Sequence, residues 1–214
     1  MLLVEYNTVA GPAEVVLIEK KSKFIAKVRP VSSAEEAEAF IEEVKKEHWN
    51  ATHNCPAYII GVNQSIQKFS DDGEPSGTAG MPILEMMKAY GIVDAAIVVT
   101  RYFGGTLLGR GGLVRAYGGA AKAALLEAGI VRMLPATQVR VTVDYGISGK
   151  VQNELINAGI AITDTEYMTD VTYVLRLLEG EEQRAEDLVR EVTAGNYLWE
   201  VEGEFYHPIP INPD

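Results

Sequence analysis

Residues 95–128 read AAIVVTRYFGGTLLGRGGLVRAYGGAAKAALLEA. Ala95 to Thr100 is a nearly continuous apolar, β-rich run, which predicts a buried strand. From about Gly111 to Ala128 the pattern predicts a helix, with Gly129 placed to stop it. The span Arg101–Ala123 holds seven glycines, four basic residues and no Asp or Glu. Gly118 and Gly119 fall inside the predicted helix, where each costs about 0.8–1 kcal/mol relative to Ala.

Winding that helix at about 100° per residue puts Leu113, Val114, Tyr117, Ala121, Ala124, Leu125 and Ala128 on a core arc. Arg115, Gly118, Gly119 and Lys122 follow i, i+3, i+4, i+7 on another side, with Gly118 bordering the core arc and Leu126 near the second face. Upstream, Gly104, Gly105, Gly109, Gly111 and Gly112 deliver Arg110 to the helix start, where free N–H groups and the dipole favour an anion. Two readings follow. Arg101, Arg110, Arg115 and Lys122 with these glycines form a phosphate site, for a small ligand or an RNA backbone. Alternatively, the glycines serve only a tight strand-to-helix turn and a close helix crossing. The stretch lacks the Gly-Lys-Ser/Thr ending of a P-loop and has no Gly-x-Gly-x-x-Gly opening at the right place.

A second segment, FSDDGEPSGTAGMP at 69–82, crowds Asp71, Asp72 and Glu74 into a turn made by Gly73 and Pro75, followed by Ser76 and Thr78. Paired carboxylates hold Mg²⁺ or act as acid and base. Asp-Gly and Pro-Ser-Gly are equally ordinary turn chemistry. With no other ligand type close in sequence, we assign no metal. The loop is better read as a support whose shape Arg101, Arg110 or Arg115 fixes by bonding it. His53 and Cys55 in ATHNCPAY share a face if extended. That alone does not make a nucleophile and base, so no catalytic residue and no cofactor is assigned.

The 214 residues are 47% hydrophobic and 23% charged, a globular composition. A single cysteine excludes an internal disulfide. MLLVEYN has no basic n-region, and no apolar run is long enough to span a bilayer. The expectation is a cytoplasmic protein with no membrane association. A net charge of -11 speaks against a general nucleic-acid binder. Residues 1–134 carry 14 Lys/Arg against 15 Asp/Glu, whereas residues 135–214 carry 5 against 15. That split suggests two domains with different surfaces.

Along the first domain, Val15–Ile18 and Phe24–Val31 predict strands, with Lys20, Lys21 and Lys23 in the turn between them. Ser33 and Glu36 form a capping box opening a helix through about Lys46. Ala57–Val62 predicts a short strand and Phe69–Gly80 a loop. Pro82 suits the first turn of a second helix that Gly91 ends. Pro135 opens a new unit: a strand at Val139–Val143, a helix at Lys150–Ala158, strands at Ile160–Tyr167 and Val171–Leu178, a helix at Glu181–Thr193 and a strand at Leu198–Tyr206. That is a βαββαβ order. The expected division is 1–134, 135–206 and a Pro-rich surface tail at 207–214.

ATHNCPAY, DDGEPSGTAGMP and VTRYFGGTLLGRGGLVRAY resemble the IMPACT family in its bacterial YigZ-type branch. The motifs lie between Ala51 and Tyr117, and the matching domain spans roughly 15–130. The resemblance implies an α+β chain with an N-terminal ribosomal-protein-S5-domain-2-like domain followed by a ferredoxin-like βαββαβ domain. It implies a regulatory role linked to translation and brings no catalytic residues. The expected function is binding of RNA or the ribosome through the Gly/Arg-rich surface. The acidic C-terminal domain would meet a protein partner or shield the site. The rivals are an enzyme acting on a phosphorylated small molecule and a protein-interaction module with Tyr102 and Phe103 exposed.

Overall fold

The computed structural model describes residues 3–212, which fall into two compact units: 6–132 with 209–212, and 3–5 with 133–208. The larger unit is built on β2 (Ala13–Glu19), β3 (Ser22–Pro30), β4 (His53–Ile60), β5 (Ile66–Phe69) and β6 (Ala95–Tyr102). They form one antiparallel sheet in the order β2-β3-β6-β4-β5. Helix α1 (Ala34–Glu47) covers one face, where Phe40, Ile41 and Val44 meet Tyr58, Ile60, Ala96 and Val98. Helices α2 (Gly80–Ala89) and α3 (Arg110–Ala128) cover the other, where Ile83, Met87, Tyr117 and Leu125 meet Cys55, Ala57, Ile97 and Val99. Both faces of the sheet are therefore buried, which explains why β6 reads as an unbroken apolar run rather than alternating.

Lys20 and Lys21 both take positive φ, 44° and 69°, closing a two-residue hairpin between β2 and β3. Lys23 lies in β3 rather than in the turn. On α3, Leu113, Tyr117, Ala121, Ala124 and Leu125 are buried as their spacing predicts, and Ala128 is partly buried; Val114 stays 39% exposed, at the margin of the core arc.

Several boundaries differ from the sequence expectation. β4 begins at His53 and carries Pro56 inside it, so the motif histidine lies in the strand and not before it. β1 (Tyr6–Val9) and β5 were not expected: the first is four residues long, and every residue of the second is exposed.

The second unit holds β7 (Ile130–Val143) from Met133 on, α4 (Tyr145–Asn157), β8 (Ala161–Tyr167), β9 (Val171–Leu178), α5 (Glu182–Thr193) and β10 (Leu198–Ile211) as far as Pro208; residues 130–132 and 209–211 of the two long strands belong to the larger unit. β7 pairs with β9 and β10, and β8 with β9. Val139, Val141 and Val143 of β7 alternate into a core with Val151, Leu155, Leu175 and Val189. β7 starts at Ile130 and holds Pro135 within it. α4 starts at Tyr145 because the Asp144 side chain accepts the Gly146 amide, an N-cap that overrides Gly146 and Gly149. The expected surface tail is corrected: β10 continues through Pro208 and Pro210 to Ile211, which packs on the core of the larger unit. Residues 213 and 214 of that expected tail lie outside the described residues.

Candidate nucleic-acid interface

Arg101 is buried, 5% exposed, and does not belong to a surface. It sits near the end of β6, where the strand still carries both sheet neighbours. Its Nη1 donates to Glu74 Oε1 at 2.7 Å and its Nη2 to Ser22 Oγ at 3.3 Å. The Tyr117 hydroxyl donates to the same Glu74 oxygen at 2.8 Å, and His53 Nε2 lies 3.8 Å from it. The guanidinium also lies against the rings of Phe24 and Phe103, each 5.5 Å away. Burial pushes the Cys55 thiol and the Tyr117 hydroxyl far up from their ordinary pKa values, so neither supplies an anionic nucleophile near neutrality.

The acidic loop is folded onto its own backbone. Asp71 Oδ1 accepts the amides of Ala79 and Gly80 at 3.0 and 2.9 Å, and Oδ2 accepts that of Gly77 at 2.8 Å. The Ala79 and Gly80 amides are orphan donors at the start of α2, whose own N-cap residue, Ala79, offers no side chain to bond them. Desolvation alone would raise the Asp71 carboxyl; the three amides outweigh it and hold its pKa below the ordinary aspartate value. Thr78 Oγ1 donates to Pro75 O at 2.6 Å. Asp72 Oδ2 accepts the Asn54 amide at 2.6 Å, and His53 Nδ1 meets Asp72 O at 2.7 Å. Each carboxylate that a metal–phosphate enzyme would require is thus engaged by the fold. Among the described residues no group of three His, Cys, Asp or Glu is placed to hold a metal ion. Two arginines bond this loop: Arg101 bonds Glu74, and Arg110 Nη2 donates to Ser76 O at 2.8 Å.

The glycines divide between the two readings. A Cβ on Gly104 would stand 2.1 Å from the Lys21 carbonyl carbon, so this glycine exists for the crossing of the β2–β3 hairpin. A Cβ on Gly118 would meet Pro82 and Met86 of α2 at 3.9 Å, the close helix neighbour. Gly119 is different: a Cβ there would meet nothing within 4 Å. Gly111, where a Cβ would lie 3.6 Å from Arg115 Nη1, leaves room for that side chain to fold back. Arg110, Arg115 and Lys122 are exposed, and among the described residues Arg115 and Lys122 make no ion pair or hydrogen bond. Gly109, at φ 72°, is the N-cap of α3 and leaves its first-turn amides without a side-chain partner.

Gly119 lines a groove of about 450 Å³ between α3 and β2, together with Leu17, Lys20, Gly112, Arg115 and Ala116. The spacing 112, 116, 119 keeps the α3 wall low. Of the predicted basic set, then, Arg115 and Lys122 share the Gly119 side of α3, Arg110 opens the helix and holds Ser76 of the acidic loop, and Arg101 is buried, while Lys20 of the hairpin lines the groove opposite α3. Sequence reading did not single out Trp49, 80% exposed, in the turn after α1. Nothing in the periodicity marks it, since it follows the helix rather than belonging to its apolar stripe.

Comparison with known proteins agrees with the motifs. Residues 20–125 match the model of the Impact N-terminal domain, and residues 141–196 match a domain of unknown function, DUF1949. The chain is 42% identical over 194 residues to the IMPACT family member YvyE of Bacillus subtilis, covering 91% of this chain and 89% of that protein. It is 40% identical over 158 residues to the IMPACT family member YigZ of Escherichia coli, covering 70% and 78%. Mouse Protein IMPACT is 33% identical over 98 residues, 44% of this chain and 30% of the mouse protein. A crystal structure of a hypothetical protein, 33% identical, superposes with a TM-score of 0.59 over 92% of this chain and 97% of that one. Over nearly its whole length, therefore, the chain belongs to the IMPACT family.

Proposed function

We propose that the larger unit binds RNA, free or on the ribosome, through the solvent side of α3 and the facing β2–β3 hairpin, and that this serves a regulatory role linked to translation. The observation that carries the reading is Gly119: a mid-helix glycine with no neighbour to accommodate, on the same helix side as Arg115 and Lys122, where neither cation has an internal partner. A helix bears that cost where something external approaches its backbone. Arg110, Arg115, Lys122, Lys20 and Lys21 supply the positive charge for phosphate contacts, and the α3 amides add donors at one end. The same reading takes the larger unit as S5-domain-2-like. It takes the second unit as ferredoxin-like, supported by its βαββαβ order with the first strand paired to the third and fourth. The protein works in the cytoplasm, and its acidic second unit meets a protein partner.

Ribosome pelleting and gel shifts across a salt series test the proposal. Arg110→Ala and Arg115→Ala each weaken binding about equally for all sequences and lower the log–log salt slope by about one. Unchanged binding and slope in the double variant would remove this surface.

A second reading, as a protein-interaction module, is favoured by β2. That strand is the outer edge of its sheet, and Val16, Leu17 and Ile18 are 48%, 38% and 65% exposed. An extended partner segment pairs with such an edge. Competition between RNA and a β2-edge peptide for the groove would separate the two readings.

A further inference from the structure

We propose that Trp49 and Phe103 are stacking platforms for unpaired bases, so that the RNA bound by the larger unit is single-stranded; this rests on the RNA-binding reading above. Trp49 is 80% exposed and Phe103 46% exposed. They belong to neighbouring turns at one end of the sheet: the turn joining α1 to β4, and the segment leaving β6. Four hydrogen bonds tie these turns together. Thr52 N donates to Arg101 O at 2.9 Å, Phe103 N to Thr52 Oγ1 at 3.0 Å and the Tyr102 hydroxyl to Asn50 Oδ1 at 3.3 Å. His48 Nδ1 meets the Tyr102 hydroxyl at 3.0 Å.

The two aromatics are therefore presented by a fixed backbone while contributing little to any core. Phe103 is further fixed because the buried Arg101 guanidinium lies 5.5 Å from its ring centre. A ring held from one side and open on the other stacks a base at small conformational cost. The indole of Trp49 sits in open solvent, which neither the packing of α1 nor that of β4 explains.

Charge decides between a base and an apolar protein side chain as the occupant. Lys21 and Lys23 stand at the start of β3, beside Tyr102 and Gly104, and Arg110 follows the same segment. The exposed acids near them are Glu19, Glu47 and Asp72; Lys27 holds Glu47 at 2.6 Å, which leaves Glu19 and Asp72 against these three exposed cations and Lys20. Glu74 beneath is matched by Arg101. Aromatics interleaved with cations are the arrangement that binds single strands, phosphates to the cations and bases to the rings. From Arg110 to Lys122, α3 extends this track by about 18 Å at 1.5 Å per residue.

The test uses the full chain with Trp199→Phe, leaving Trp49 as the lone indole, titrated with a single-stranded RNA oligonucleotide and with the same oligonucleotide annealed to its complement. Quenching of Trp49 by the single strand, weak or absent with the duplex, is expected. Trp49→Ala is expected to weaken single-strand binding about 5- to 150-fold, the range for loss of one stacked base. Its melting temperature should not move, since the side chain is exposed. Phe103→Leu, which keeps an apolar group against Arg101, is expected to weaken binding in the same direction. Equal binding of single strand and duplex, with Trp49→Ala indistinguishable from the parent, overturns the stacking proposal and leaves RNA binding standing. No binding of either RNA by the parent protein, together with no ribosome association, overturns both. Quenching that a nuclease-treated cell extract produces as strongly as an untreated one marks Trp49 as a protein contact and also overturns the proposal.

Discussion

Arg101 and Glu74 form an ion pair at 2.7 Å with both side chains almost fully enclosed, 6% and 3% exposed. The pair joins β6 to the acidic loop and draws in Tyr117 of α3 through the same carboxylate oxygen. Three parts of the larger unit therefore meet at one anion.

Removing one partner strands the other in the interior. Arg101→Ala is expected to cost about 3–5 kcal/mol, the range for breaking a buried pair. Urea denaturation followed by far-UV circular dichroism measures it. Glu74→Gln in the Arg101→Ala background removes the stranded charge and recovers part of the loss; no recovery would mean that the arginine acts through packing on Phe24 alone.

Gly119→Ala and Gly104→Ala should move stability in opposite directions. At Gly119 a methyl group enters open space on a helix, so the variant gains up to about 1 kcal/mol. If the proposed RNA contact is made there, the variant binds RNA less well, because the approach to the helix backbone is filled. At Gly104 the methyl group collides with the Lys21 backbone, and overpacking costs about 1–3 kcal/mol or more. Thermal unfolding of the two variants beside the parent checks the signs, and gel shifts check the separation of stability from binding.

Asp71 makes the α2 cap sensitive to acid. Its folded pKa lies below the ordinary 3.8, so its contribution is present above that value and is lost as pH falls through the folded pKa. Unfolding free energy should therefore decline below about pH 4, measured by urea titration at stepped pH. Asp71→Asn flattens that decline, and Asp71→Ala costs about 0.5–2 kcal/mol near neutrality, as for a lost cap.

Much of the fold is legible where one physical signal dominates. The Ser33–Glu36 box sets the start of α1: Ser33 Oγ accepts the Glu36 amide at 3.2 Å. The β-rich run at 95–100 is a strand buried on both faces. The strand order of the second unit's segments follows from alternation and periodicity. What escapes is set by long-range pairing. β1 and β5 have no internal pattern strong enough to announce a strand, and exist because β7 and β4 offer them an edge. Pro208 and Pro210 argue locally for a loose end, yet β10 carries both.

The placement of the side chains in the proposed interface is half legible. Spacing along α3 put Arg115, Gly119 and Lys122 on one side, and they are there. It could not show that Arg101, in the same basic stretch, points inward, because β6 is buried on both faces and a charge in it must find a partner. Glu74, whose neighbours suggest only a turn, is that partner. Spacing also could not separate Gly104 and Gly118, explained by the hairpin and α2, from Gly119, which has no neighbour.

Cys55 lies sealed between the sheet and α3, 0% exposed, with its thiol bonded to the Asp71 carbonyl at 3.1 Å. As the sole sulfhydryl of the chain, it makes the larger unit its own stopwatch. A thiol-reactive reagent can modify this protein only as fast as that layer lifts away, so the labelling rate reads out its breathing directly, with no added probe.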